Sequence, residues 1–198
     1  MQSQEIAILK YQGGGDWYAN PTALPNLINF VNTSTKCAIS KEPQVVTLSD
    51  NAIYTYPIVF MTGHGNVHFD EQDVQKLRNY LVSGGFLHIS DNYGLDNYIR
   101  KELKKVFPYD SFTEIPNTHL IYHQTYKFPK GLPKIHEHDN GTPKGLGIFH
   151  KGRLVIFYDH ECDLSDGWED QSIHNDPEDI RLKALKMGSN IIEYAFKN

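Results

Sequence analysis

The segment MTGHGNVHF, residues 61–69, sets two histidines among glycines with no regular period. An imidazole titrates near neutrality, so either ring can move a proton, ligate a metal or hydrogen-bond a polar ligand. Gly63 and Gly65 flank His64, and a position without a side chain lets the backbone press against a ligand. His64 is therefore the candidate, whereas His68, beside Phe69 and two residues before a helix cap, reads as structural or exposed. Three further loops carry complementary chemistry: Gly13-Gly14-Gly15-Asp16-Trp17, Ser90-Asp91-Asn92-Tyr93 and Asp159-His160-Glu161. Asp91, His64 and His160 are the acid–base set such loops would supply to catalysis. Asp91 can equally cap the helix that follows it.

Around that set, Gly14, Gly15, Gly63 and Gly65 permit close backbone approach, and Asp16 and Asn92 offer polar contacts to a ligand. Trp17, Tyr93 and Trp168 fall in loops where a ring either stacks on a sugar or lids the core. The triple glycine lacks the Lys-Ser/Thr of a phosphate-binding loop and the spacing of a dinucleotide fingerprint. Its amides can still hold an anion, or the loop simply turns Asp16 and Trp17 back over the sheet edge. HEHD (136–139) and DHECD (159–163) hold metal-ligand residue types, with His136 and His138 as the candidate ligands. Neither run has the helical HExxH spacing, so no metal site and no cofactor are assigned.

The elements that must position these loops follow from apolar periodicity. EIAILKY (5–11), QVVTL (44–48), YPIVFM (56–61) and FLHIS (86–90) read as strands, the last two apolar enough to be buried on both faces. Leu24, Leu27, Ile28 and Val31 share one face of a helix over 22–34. A second helix starts at Asp70, with Asp73 placed for a capping box and a stripe of Val74, Leu77, Tyr80 and Leu81, and stops at Gly84. A third spans 95–107, a hairpin turning at Gly152 spans 147–159, and a last helix closes the chain. Residues 109–146 have no clear period and read as an insertion with short strands. Strands alternating with helices predict an α/β fold with a mainly parallel sheet, in one domain over 1–198. In such a sheet the loops after the strand C-termini converge, which gathers the candidate residues at one edge.

Composition narrows the function. The net charge of −5 with scattered lysines argues against nucleic acid as a partner, and IRKELKK (99–105) reads as a solvated helix face. No apolar run approaches the ~20 residues of a membrane helix, so a soluble chain without direct membrane insertion is expected. The strand that begins almost at once also suits an exported protein whose signal peptide has been removed, and compartment stays open. Cys37 and Cys162 form no CxxC motif, and whether they pair depends on that compartment.

YQGGGDWY, LPNLINFV, YPIVFMTGHGNVHFDEQDVQKLRNYLVSGGFLHISDNYG, GIFHKGRLVIFYDH and DGWE together resemble, in order along nearly the whole chain, a bacterial family classed as a domain of unknown function, DUF4159. That family is grouped with the ThuA-like and class I glutamine amidotransferase-like superfamily. The resemblance implies a flavodoxin-like three-layer α/β sandwich and a partner in von Willebrand-type and MoxR-type ATPase systems, but no reaction. Class I amidotransferases carry a cysteine on a strained strand-to-helix turn. Here the strand GGFLHIS runs into Asp91-Asn92-Tyr93-Gly94 with no cysteine, so thiolate hydrolysis of glutamine is not expected. The expected function is a domain that binds a small polar ligand or a protein partner at the strand C-terminal edge. The alternative is a hydrolase or carbohydrate-active enzyme using Asp91, His64 and His160.

Overall fold

The computed structural model describes residues 3–90, 92–136 and 141–198. Within them, seven strands form one sheet in the order β2-β1-β3-β4-β7-β6-β5. The strands are β1 (Ile6–Lys10), β2 (Gln44–Thr47), β3 (Ile58–Met61), β4 (Phe86–Ser90), β5 (Thr113–Glu114), β6 (Lys144–His150) and β7 (Arg153–His160). β2, β1, β3, β4 and β7 pair in parallel, and the β6–β7 hairpin brings in antiparallel β6 with β5 beyond it. Five helices accompany the sheet: α1 (Ala23–Ser34), α2 (Glu71–Val82), α3 (Asp96–Val106), the short α4 (Gln171–His174) and α5 (Glu178–Lys197).

Successive residues of a strand point to opposite faces, and the central strands show why their sequences are apolar throughout. Ile58 and Phe60 pack with Leu27 and Ile28 of α1 and Ile191 of α5. Val59 and Met61 pack with Leu77 and Leu81 of α2 and Ile99 and Leu103 of α3. Each core thus takes alternate residues of the same strand. The stripe of α1 is buried as its period predicts. In α2, Leu77, Tyr80 and Leu81 are buried and Val74 is partly so. The Asp70–Asp73 capping box is formed. The same helix closes where Gly84 takes a φ of +123° and Gly85 N–H donates to the Tyr80 carbonyl at 3.0 Å.

The hairpin begins earlier than its apolar run suggests, at Lys144 rather than 147, so the insertion gives its last residues to β6. Gly145 and Gly147 hide this boundary. They are strand residues kept small by close packing: a Cβ on Gly145 would lie 1.9 Å from the Tyr122 hydroxyl, and one on Gly147 2.5 Å from Leu154. The rest of the insertion holds the two-residue β5 and a 3-10 turn at Leu120–Tyr122. No helix among the described residues is long and apolar enough to cross a membrane.

Candidate functional site

The loops after β1 and β3 dock backbone to backbone. His68 N–H donates to the Gln12 carbonyl at 2.8 Å, Gly15 N–H to the Asn66 carbonyl at 3.0 Å, and Asn66 Nδ2 to the Gly13 carbonyl at 3.0 Å. A Cβ on Gly15 would sit 2.7 Å from the Asn66 carbonyl oxygen and 2.8 Å from that of His64. The glycines therefore serve loop-to-loop contact. The Gly15 amide is already engaged, which weakens the anion-cradle reading of the triple glycine.

This docking carries Asp16 to His64. The Asp16 carboxylate accepts from the His64 backbone N–H, and its Oδ2 lies 2.9 Å from His64 Nδ1. Partial burial pushes the Asp16 carboxyl up, but the hydrogen bonds from the His64 backbone and ring and the ring's charge outweigh it and hold the pKa below the ordinary value. With Nδ1 fixed on a carboxylate, Nε2 is the nitrogen left to face solvent on a half-exposed ring. Trp17 is half-buried next door, edge-on to exposed Tyr18 at 5.6 Å with Lys10 Nζ above its ring.

A second group of polar side chains joins the loops after β1, β4 and β7. Asn92, 3% exposed, donates from Nδ2 to Asn20 Oδ1 at 3.2 Å. Asn20 Nδ2 in turn donates to Ser165 Oγ at 2.9 Å and to Asp166 Oδ1. Asp166 Oδ2 is 3.2 Å from His136 Nδ1, and His136 Nε2 is 2.6 Å from Asp176 Oδ1. His174 Nε2 lies 3.9 Å from Asp166 Oδ2 and 3.3 Å from Glu169 Oε2. The hydrogen bond to Asp166 raises the His136 pKa against the effect of burial, and Asp176 helps push it up to about 9. Burial pushes Asp166 up, but His136, His174 and Asn20 more than offset it and hold the carboxyl low. Two polar atoms at this junction, Asn92 Oδ1 and Asp176 Oδ2, are buried with no hydrogen-bond partner among the described residues.

The other sequence candidates are dispersed. Asp91 and His138 lie outside the described residues. His160 turns to the start of α3, with Nε2 3.4 Å from Asp96 Oδ1, and no hydrogen bond or ion pair among the described residues joins it to His64. Glu161 sits 3.6 Å from Lys134, and among the described residues no member of the DHECD run joins a ligand set with His136. Tyr93 is exposed at the edge. Trp168 is a core side chain with no exposed surface, its indole N–H donating to the Ala184 carbonyl at 2.8 Å. Gly14 and Gly65 face open space. Sequence reasoning missed Asn20, Asp166, Glu169, His174 and Asp176. The signal for the last four was the acid- and histidine-dense run between 160 and 176, without the fold to show which members converge.

Beneath the edge lies a buried trio that resembles a hydrolase triad in composition only. His88 Nε2 is 2.6 Å from Asp159 Oδ2, and Ser90 Oγ donates to Asp159 Oδ1 at 3.1 Å. Serine and histidine both attach to the acid and not to each other, so among the described residues no imidazole stands by the hydroxyl. All three are 2% exposed or less. The trio joins the edge because Ser165 N–H donates to Ser90 Oγ at 3.2 Å.

Neither thiol can serve as nucleophile at this edge. Cys162 is fully buried, donates to the Pro133 carbonyl at 2.8 Å, and has its pKa raised well above the ordinary value by burial and by nearby Asp159 and Asp163. Cys37 follows α1 at the opposite edge of the sheet, where Gln4 N–H bonds the neighbouring Ala38 carbonyl. Both cysteines are free.

A family model for a domain of unknown function, DUF4159, matches residues 5–196. The chain belongs to the DUF4159 family. The match takes in all seven strands and the whole edge cluster of this DUF4159 domain. No curated protein matches the chain.

Proposed function

We propose that this DUF4159 domain is a flavodoxin-like, amidotransferase-like member of the ThuA-like superfamily that works by binding a small polar ligand at the strand C-terminal edge. The observation that carries the reading is the Asn92–Asn20–Asp166 junction, in which three loops pool polar groups and one buried amide oxygen has no partner among the described residues. The order of the parallel strands, β2-β1-β3-β4-β7, supports the scaffold assignment, since flavodoxin-like sheets run 2-1-3-4-5 and take ligands outside the strand C-termini. That edge carries no accessible thiol among the described residues, which supports binding without thiolate chemistry.

The test is a thermal-shift panel of phosphate compounds and simple sugars on chelator-treated protein, with Asn92→Ala and His64→Ala alongside. A ligand of the native state raises the melting temperature by mass action, and the shift should disappear in Asn92→Ala. If no compound shifts the native protein, the small-ligand reading fails. A protein partner then takes its place, sought in the von Willebrand-type and MoxR-type systems that the family resemblance implies.

One observation favours a second reading, acid–base hydrolysis. Asp16 holds His64 by Nδ1, which is how a carboxylate orients an imidazole base. This reading shifts the acid from Asp91 to Asp16. Turnover of a glycoside or ester that His64→Ala abolishes would establish it over the binding reading.

A further inference from the structure

We propose that His136, Asp166 and His174 hold a divalent transition-metal ion of the zinc class. One atom of each, a ring nitrogen or a carboxylate oxygen, falls within 4.8 Å of the other two. Metal–ligand bonds of about 2.0–2.1 Å at tetrahedral angles put ligand atoms about 3.3 Å apart. The His136 Nδ1–Asp166 Oδ2 distance of 3.2 Å already meets that, and the His174 Nε2–Asp166 Oδ2 distance of 3.9 Å needs only a small ring movement.

The chain builds this convergence from three separate segments. His136 comes from the insertion, and Asp166 from the 3-10 turn Asp166–Trp168 after β7. His174 ends α4, where Asn175 with a φ of +59° reverses the chain and returns Asp176 to the same cluster. The two rings stand edge to face with centroids 5.0 Å apart.

The surroundings match what a metal site requires beyond its ligands. With Nδ1 of His136 on the metal, its Nε2–H points at Asp176 Oδ1 2.6 Å away, the carboxylate–histidine–metal relay that fixes ring and tautomer. Asp166 is oriented likewise, since Asn20 occupies Oδ1 and leaves Oδ2 for the ion. Glu169, 4% exposed, has Oε1 held by Thr22 while Oε2 lies 3.3 Å from His174 Nε2, which places another carboxylate beside the site. Asp176, 8% exposed, keeps Oδ2 buried with no hydrogen-bond partner among the described residues, a buried charge that a cation on the far nitrogen of the His136 ring offsets through Nε2–H. Three carboxylates around two imidazoles leave negative charge that a divalent ion neutralises. Two nitrogen ligands select a first-row transition ion over magnesium or calcium.

The site goes beyond the ligand-binding reading and can be tested without an organic ligand. The experiment is calorimetric titration of the EDTA-stripped, dialysed full chain with Zn²⁺ alone, followed by absorption spectroscopy with Co²⁺. One ion per chain is expected, with visible cobalt bands of a low-coordinate site. His174→Ala, an exposed residue on a four-residue helix, should weaken binding at least tenfold and erase the bands. His136→Ala should do the same, and Asp176→Asn should cost 10–100-fold as an outer partner. The exposed His68→Ala should bind as the native chain does. No stoichiometric binding, or binding unchanged in both His136→Ala and His174→Ala, overturns the proposal. A zinc-binding domain that no sugar or phosphate shifts would leave the site standing while the small-ligand reading falls.

Discussion

His88 of β4 and Asp159 of β7 meet diagonally across adjacent parallel strands with Nε2 and Oδ2 2.6 Å apart, their side chains 3% and 0% exposed. Burial pulls the His88 pKa down to about 3, which favours a neutral imidazole facing the acid. The folded pKa lies below the unfolded value of 6.5, so the unfolded chain takes up a proton that the native one refuses. Stability contributed by neutral His88 is complete above pH 6.5 and is lost as pH falls towards 3. His88→Gln keeps an N–H donor and removes the titration. Between pH 6 and 5, the native protein should lose about 1 kcal/mol more than His88→Gln in urea unfolding.

Gly63 is predicted to be the least replaceable residue of the His64 loop. Its φ is +134°, and a Cβ would fall 2.2 Å from the Tyr11 hydroxyl and 2.9 Å from the Asp16 carbonyl oxygen. Strain and overlap together should cost Gly63→Ala roughly 3 kcal/mol or more. Gly65, with φ +76° and open space around it, carries the strain alone, so Gly65→Ala should cost about 1–2 kcal/mol. Denaturant unfolding of the two variants checks the ranking. A result with Gly65→Ala the weaker protein would contradict the loop packing.

The fold was legible where one physical signal dominated. β4 falls on the residues read from sequence, Phe86–Ser90, because a strand buried on both faces is an unbroken apolar run between glycines and a polar turn. The four longer helices were readable from their stripes for the same reason, whereas four-residue α4, with no buried residue, was not. β6 was misjudged because its glycines look like boundaries, and only the fold shows Tyr122 and Leu154 packed against them. In the site, Asp16 and His64 were both named, yet nothing local links residues whose pairing depends on two loops docking. His174 and Asp176 reach His136 along a segment that passes through left-handed Glu161 and Asp163, where no period exists to read.

Asp70 should anchor α2 measurably. Its side chain accepts from Asp73 N–H at 2.8 Å, and Asp73 Oδ2 reaches back to Asp70 N–H at 3.4 Å. Asp70→Ala leaves that first-turn amide without its acceptor and should cost about 1 kcal/mol. Asp70→Ser should recover most of it, because serine caps nearly as well. Thermal unfolding of the pair gives the answer, and equal losses in both would show that the box contributes nothing.

The two tryptophans should report on different parts of the molecule. Trp168 has no exposed surface and packs near the rings of Phe60 and His88 with centroids 5.7 Å away, whereas Trp17 is half-buried beside the Asp16–His64 pair. Trp17→Phe should therefore leave a blue-shifted emission that acrylamide barely quenches. Trp168→Phe should leave a red-shifted, readily quenched one. Trp168→Phe also loses the hydrogen bond to the Ala184 carbonyl, at about 1 kcal/mol, and adds the cost of an underfilled core. A ligand that settles on the loop after β1 must then change the emission of Trp168→Phe, in which Trp17 alone emits. A ligand that changes only Trp17→Phe would be acting through the core, and the edge site would have to be moved.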